Sequence, residues 1–464
     1  MAHLFISAAH KSSGKTTLTM GLCAALHNRG LIVQPFKKGP DYIDPMWLHR
    51  ATTRQCYNLD FYTMQESEIL ATFHKYNSNS DISLIEGNKG LYDGLDLDGS
   101  NSNAALAKLL RSPVVLVIDA RGMTRGIAPL ILGYQNFDKD INIAGIIINQ
   151  LGGQRHETKL RAVIEKYTDV PVIGAVYQNK DLAMVERHLG LIPGNEASDA
   201  QNKVNKIGDI IANQVDLDKI VSISKTTLLT NEIIDKNETS LINKSQKLQI
   251  GIIQDAAFGF YYPDDLQALK DQNTDIIAIN SLTDKKLPSN LNGLFIGGGF
   301  PETHMPGLSS NIAFMNDLKN AIKEGLPVYA ECGGLMYLTR SINWKGEQFN
   351  MVGAINADTV MEEKPQGRGY VQLKSTENHP WPISSDNKTA AISAHEFHYS
   401  KVINLSENEK YAFKVLRGTG ITNKQDGLIF ANSLACYTHQ RNTQSNQWTT
   451  QFIEHVRHCK YTHQ

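Results

Sequence analysis

A cysteine at the end of a short apolar strand and followed by two glycines is the setting of an activated nucleophile. Cys332 has that setting in Pro327-Val328-Tyr329-Ala330-Glu331-Cys332-Gly333-Gly334-Leu335-Met336-Tyr337. Read as strand, sharp turn and helix, the segment exposes the thiol at a sheet edge and points a helix dipole at it, which favours the thiolate. Gly297-Gly298-Gly299-Phe300-Pro301-Glu302 follows another strand, so the backbone amides of Gly299 and Gly333 are candidates to cradle a tetrahedral oxyanion. A thiol nucleophile needs a histidine base, and among 15 histidines His439 is the choice, because it follows the strand-like Ser433 to Thr438 near the end of the chain. His395 and His398, in Ala394-His395-Glu396-Phe397-His398-Tyr399-Ser400, are rivals as base, metal ligands or substrate contacts. The competing reading of Cys332 is a buried, inert cysteine at a strand end.

A second chemistry lies at the amino end. Strand His3 to Ala8 runs into Ala9-His10-Lys11-Ser12-Ser13-Gly14-Lys15-Thr16-Thr17, and a helix-forming run from Leu18 to Leu26 follows. Small residues let backbone N–H groups curl around a phosphate, so Ser13, Gly14, Lys15, Thr16 and Thr17 are the nucleotide-binding candidates. Lys15 would reach the outer phosphates and Thr16 would ligate Mg2+. Ala9 stands where the pattern usually opens with glycine, and the alternative is a Ser/Gly turn with a surface lysine.

Carboxylates follow the next strands, in Lys37-Lys38-Gly39-Pro40-Asp41-Tyr42-Ile43-Asp44-Pro45 and in Glu86-Gly87-Asn88-Lys89-Gly90-Leu91-Tyr92-Asp93-Gly94. Loops at the carboxyl ends of parallel strands meet in one crevice, so Asp41, Asp44, Glu86 and Asp93 are expected to converge on the nucleotide. Acidic groups facing a triphosphate need a metal between them, with Thr16, Asp44 and Glu86 as its candidate ligands, or they act on a substrate. Each one singly also reads as a turn residue.

Positioning such loops takes buried parallel strands, and the chain supplies them. Short β-branched runs alternate with amphipathic stretches, which defines the α/β class. Strands are predicted near His3 to Ala8, Leu31 to Phe36, Ile82 to Glu86, Val114 to Asp119, Ile143 to Asn149 and Val172 to Ala175, several of them apolar throughout as in a doubly wound sheet. A second alternation runs through Leu248 to Ile253, Ile276 to Ile279, Gly293 to Ile296 and Pro327 to Ala330, giving a second sheet domain that does not repeat the first. Between them the chain turns polar, with a helix within Lys203 to Val215 and a linker after it. The expected domains are 1–221 and 247–464, with 222–246 as linker.

At 464 residues the chain is too long for one core. Lys plus Arg number 46 against 47 Asp plus Glu, a net charge of −1 that marks no surface for nucleic acid or anionic lipid. Five scattered cysteines without a CxxC pair indicate neither a disulfide framework nor a zinc knuckle. The longest apolar runs fall well short of the roughly 20 residues that span a bilayer, and the start lacks a basic leader, so a cytoplasmic protein is expected.

The motifs quoted above occur in one order, and His-Glu-Phe-His-Tyr-Ser completes the set. Together they resemble the cobyrinic acid a,c-diamide synthase family, a dethiobiotin-synthetase-like ATP domain followed by a class I glutamine amidotransferase domain, over nearly the whole chain. The resemblance implies that Cys332 hydrolyses L-glutamine and that ammonia passes to the first domain. There ATP, with Mg2+, activates an acetate carboxylate of a tetrapyrrole polycarboxylate for amidation. It implies roles for Asp41, Glu86 and Asp93 in governing substrate or the phosphorylated intermediate. Asn149, in Ile146-Ile147-Ile148-Asn149-Gln150, resembles the position used for adenine recognition and reads equally as a polar strand end. A homodimer is admitted, and no nucleic acid or membrane is expected as partner. Two departures stand out. Position 441, two after the histidine, is Arg441 where the usual triad has a carboxylate, so a Cys332–His439 dyad is expected. Asn88-Lys89 stands where two apolar residues are expected, which leaves the identity of the macrocycle open to sirohaem or nickel sirohydrochlorin. A regulatory ATPase with an inert amidotransferase-like domain is the competing class.

Overall fold

Apolar runs with no polar face become parallel strands covered on both sides, and the amino-terminal half builds its sheet from them. In the computed structural model, which describes residues 2–184, 186–187, 190–197, 199–225, 246–382 and 390–462, the chain divides into two compact units, Met1–Asn237 and Glu238–Gln464. The first unit contains β1 (His3–Ala8), β2 (Val33–Lys38), β3 (Tyr57–Leu59), β4 (Ile82–Glu86), β5 (Val114–Asp119), β6 (Ile143–Leu151) and β7 (Val172–Tyr177). They form one sheet in the order β3-β2-β4-β1-β5-β6-β7, parallel throughout. The side chains of β1 alternate as a pleated strand requires. Leu4, Ile6 and Ala8 enter one core with the helices Lys15–Asn28 and Ala200–Gln214, and Phe5 enters the other with Ile127–Phe137 and Gln154–Tyr167.

The second unit carries β8 (Leu248–Ile253), β9 (Thr274–Ile279), β10 (Gly293–Ile296), β11 (Val328–Glu331), β12 (Gly367–Ser375), β13 (Ile392–His398), β14 (Lys410–Arg417), β15 (Gln425–Phe430) and β16 (Ser433–Cys436). Their order is β9-β8-β10-β11-β16-β15-β14-β12-β13. The first five strands are parallel and the last four extend the sheet antiparallel. Val328 and Ala330 of β11 face one core and Tyr329 the other.

Three differences from the sequence reading have local causes. β2 begins at Val33 and continues through Lys38, because its ladder with β4 reaches Lys37 opposite Glu86; both lysines are therefore strand residues. β3 is a three-residue edge strand with a central Asn58, too short and polar for a periodicity argument. The helix Leu217–Ser224 runs across the expected boundary at 221, and most of the expected linker, 226–245, lies outside the described residues. Among the described residues, no helix is long and apolar enough to cross a membrane.

Candidate active site

Cys332 sits where β11 ends, with φ 49° and ψ −103°, a backbone conformation that L-residues rarely adopt. The strain is held by the flanking strand and helix: the Cys332 N–H donates to the Cys436 carbonyl at 2.7 Å, and its own carbonyl accepts from Met336 N–H at 3.1 Å. The side chain is 6% exposed, with Sγ 4.0 Å from the Phe397 carbonyl oxygen. Next to it, a Cβ built on Gly333 would lie 3.0 Å from the Gly299 nitrogen, so the two backbone amides expected to form an oxyanion cradle are neighbours.

His439 reaches this thiol from the segment after β16. Cys332 and Glu331 are the groups that act on its ring, with Nδ1 3.4 Å from Glu331 Oε2. Burial would lower its pKa, but these two partners win and push it up to about 10. The Glu331 carboxylate is itself buried and held: Oε1 accepts from Tyr329 Oη at 2.6 Å and from the Gln440 N–H at 2.9 Å. His395 stacks on His439, centroids 4.9 Å apart and planes at 12°, and the two backbones exchange hydrogen bonds. Burial first, then His439 and Arg441, hold His395 well below the ordinary imidazole value. His398 stacks on Tyr437 at 3.8 Å, and its Nδ1 lies 2.9 Å from the Ser400 carbonyl. Arg441 turns away to Asp264, Nη2 to Oδ2 2.7 Å. Among the described residues no cluster of three or more His, Cys, Asp or Glu is arranged to hold a metal.

In the first unit the phosphate loop spans β1 and the helix Lys15–Asn28, with Gly14 left-handed at φ 83° as the helix N-cap. A Cβ on Gly14 would lie 2.3 Å from Asn149 Nδ2, and that nitrogen donates to the Ser13 carbonyl at 2.8 Å. The amide nitrogen of Asn149 is thus tied to the phosphate loop, a strand-end role the sequence left open. Ser13 Oγ donates to the His10 carbonyl at 2.8 Å, and Tyr134 Oη donates to the Ala9 carbonyl. Thr17 occupies the first helical turn.

Lys37 organises the carboxylates. Its Nζ lies 2.5 Å from Asp44 Oδ2, 3.0 Å from Glu86 Oε1 and 3.7 Å from Asp41 Oδ2. Thr16 Oγ1 donates to Glu86 Oε1 at 2.7 Å and lies 3.3 Å from Asp44 Oδ2, and Lys15 Nζ lies 4.0 Å from Glu86. Burial lowers Lys15, whereas the three carboxylates overcome burial and raise Lys37 well above the ordinary lysine range. Burial and then Asp44 push Asp41 up; burial would do the same to Asp44, but Lys37 holds it below the usual carboxylate range. Asp41 Oδ1 also accepts from the Ile43 and Asp44 N–H groups at 2.9 and 3.1 Å, so it begins the helix Ile43–Thr52 as well. Glu86 Oε2 is buried without a hydrogen-bond partner, an acceptor free for a cation. Asp93 stands apart from this cluster: it is exposed, and Oδ2 accepts from the Gly90 N–H at 3.0 Å.

Sequence reasoning missed Glu331 and the central place of Lys37. For Lys37 the signal was parity, since a strand carried through to Lys38 pairs Lys37 with Glu86 on the neighbouring strand. For Glu331 there was none beyond its adjacency to the cysteine.

Both units match known protein families. A model of the CobB/CobQ-like glutamine amidotransferase domain matches residues 249–447, and a model of an AAA domain matches residues 2–186. The fold and the two sites thus define a nucleotide-binding P-loop domain joined to a glutamine amidotransferase-like domain. A cobyrinate a,c-diamide synthase from Magnetococcus marinus is 41% identical, over 96% of this chain and 95% of its own length. Those from Caldanaerobacter subterraneus subsp. tengcongensis and Archaeoglobus fulgidus are 38% and 40% identical, each over 94% of this chain and over 94% and 93% of their own. The chain belongs to the cobyrinate a,c-diamide synthase family.

Proposed function

We propose that this protein is an ATP-dependent, glutamine-hydrolysing ligase that converts acetate carboxylates of a modified tetrapyrrole to amides, acting as a cobyrinate a,c-diamide synthase. The observation that carries the reading is the strained Cys332 elbow facing His439 on the same chain as a phosphate loop ringed by Lys37, Asp41, Asp44 and Glu86. In the second unit Cys332 Sγ attacks the side-chain carbonyl of glutamine, and the amides of Gly299 and Gly333 receive the oxyanion. His439, holding a proton between two acidic groups, gives it to the departing ammonia. Water then cleaves the thioester to glutamate, with the same ring taking a proton back.

In the first unit a carboxylate becomes an acyl acceptor only when its oxygen leaves easily. Phosphoryl transfer from ATP provides that, and ammonia then displaces phosphate to leave the amide. Lys15 and the loop amides bind the phosphates, while Asp41, Glu86 and Asp93 are assigned to substrate and the phosphorylated intermediate. Thr16, Asp44 and Glu86 would hold Mg2+, and the unpartnered Glu86 Oε2 fits that part. When bound, the metal neutralises phosphate charge. The proposed setting is the cytoplasm and the proposed assembly a homodimer, which sedimentation would read.

A second reading concerns only the macrocycle. Lys89 is exposed, and Lys38 is buried: burial, opposed by Asp60 and aided by Lys89 and Lys37, lowers its pKa to about 8. Two lysines here suit a polycarboxylate macrocycle, a property that cobyrinic acid, sirohaem and nickel sirohydrochlorin share. Mass spectrometry after incubation with each tetrapyrrole, glutamine and MgATP tests both readings. Amide formation on cobyrinic acid supports the first, and on the others alone the second. Cys332→Ala is expected to abolish glutamine-dependent amidation and keep the ammonia-dependent reaction. Lys15→Ala is expected to abolish amidation from either nitrogen source and keep basal glutamine hydrolysis. Amidation that survives Lys15→Ala would refute the phosphate-loop assignment.

A further inference from the structure

The residue two after the base, where an amidotransferase triad would place its carboxylate, is Arg441, and its guanidinium is engaged with Asp264 at 2.7 Å. The imidazole nonetheless has a carboxylate beside it. Glu331 is 2% exposed as a residue, and its Oε2 lies 3.4 Å from His439 Nδ1. Along an uninterrupted strand, residues 331 and 332 would face opposite sides of the sheet. The left-handed φ of 49° at Cys332 ends the strand there and brings both side chains to one ring. We infer that Glu331, the residue immediately before the nucleophile, is the positioning carboxylate of His439, replacing the triad member that Arg441 cannot supply. This inference rests on the glutaminase reading of Cys332 and His439.

The other oxygen of Glu331 accounts for its rigidity. Oε1 accepts from Tyr329 Oη at 2.6 Å and from the Gln440 N–H at 2.9 Å, so the carboxylate is fixed by its own strand and by the peptide following the histidine. Oε2 remains to receive the Nδ1 proton, which leaves the other ring nitrogen to exchange a proton with the thiol. The titratable groups facing the ring from the surrounding elements are Cys332, Glu331 and His395, with Arg441 behind His395. Of these, Glu331 offers a second negative charge.

Glu331→Gln separates positioning from structure. The amide oxygen can still accept from Tyr329 and Gln440, while its NH2 donates to Nδ1 and forces the unproductive tautomer. For glutamine hydrolysis by the full chain, kcat is expected to fall by on the order of 10³-fold while KM stays within about three-fold. The alkaline limb of the pH–rate profile is expected to move to lower pH, because one of the groups that raise His439 is gone. Ammonia-dependent amidation stays at the wild-type level and reports an intact fold. Glu331→Asp, which keeps the charge on a shorter arm, is expected to recover part of kcat and restore the limb. Tyr329→Phe, which removes one of the two donors that fix Glu331 Oε1 but keeps the charge and the Gln440 N–H, is expected to lower kcat by about ten-fold, far less than Glu331→Gln, and to leave the limb in place. A Glu331→Gln enzyme with wild-type kcat and an unmoved limb overturns the inference, as does a Tyr329→Phe enzyme that reproduces the full kcat loss. Should Glu331→Gln fail to fold, Glu331→Asp decides: with near-wild-type ammonia-dependent activity but no better kcat for glutamine than about one-thousandth of wild type, it also overturns it. If wild-type hydrolysis instead persists in Cys332→Ala, the glutaminase reading itself has failed, which is a distinct result.

Discussion

At the scale of single residues, the charge on His439 links catalysis to stability. Its folded-state pKa of about 10 lies above the ordinary imidazole value of about 6.5. A raised pKa contributes stability that is fully present below the ordinary value and lost as pH rises through the folded one; here the contribution is on the order of a few kcal/mol. Urea midpoints between pH 7.5 and 10.5 should therefore fall more steeply for wild type than for His439→Gln, and parallel curves would contradict the thiol–imidazole–carboxylate arrangement. Cys332, Lys15 and Thr16 were singled out by local motifs whose spacing suggests a use, whereas His439 was chosen only for its place after a strand-like segment, with His395 and His398 as rivals. Glu331 was not, because its partner is distant in sequence and a regular strand would have pointed it away from the thiol.

At the scale of elements, the site depends on how closely backbone approaches side chain. Gly298, in the glycine run after β10, leaves no room for more: a Cβ there would lie 2.6 Å from His439 Cε1. Gly298→Ala should displace the imidazole and lower glutamine-dependent kcat by about 10²-fold, a loss comparable to misplacing a reacting group by an ångström. Ammonia-dependent amidation should persist, and an unaltered glutaminase rate would mean the ring does not work from this position. The ends of β1, β4, β5, β8 and β10 agree with those read from apolar runs, since a strand buried on both faces is largely apolar along its length. The antiparallel extension β12 to β15 was not legible. Its strand order is not sequential, since β12 pairs with β14, beyond β13 in the chain, and its strands mix buried and exposed residues without a clean period, as in Lys410–Arg417. β2 was read two residues too early at both ends, because pairing with β4 and β3 holds Lys37 and Lys38 in the strand against their polarity.

At the scale of the whole molecule, each unit has its own sheet with an apolar core on either face. Two calorimetric transitions are expected. MgATP at about one hundred times its dissociation constant should raise only one of them, by the equivalent of roughly 2.7 kcal/mol of stabilisation. A shift of both transitions would show that nucleotide binding is felt in both units. The left-handed backbone at position 332 extends this bookkeeping of stability to lineage. At ordinary sites alanine is more stable than glycine by roughly 0.5–1 kcal/mol, but here the alanine variant inherits a conformation that costs of order 1–3 kcal/mol and the glycine variant escapes it. Cys332→Gly should therefore melt above Cys332→Ala. In a lineage that abandoned the reaction, glycine would be the least strained occupant of this place.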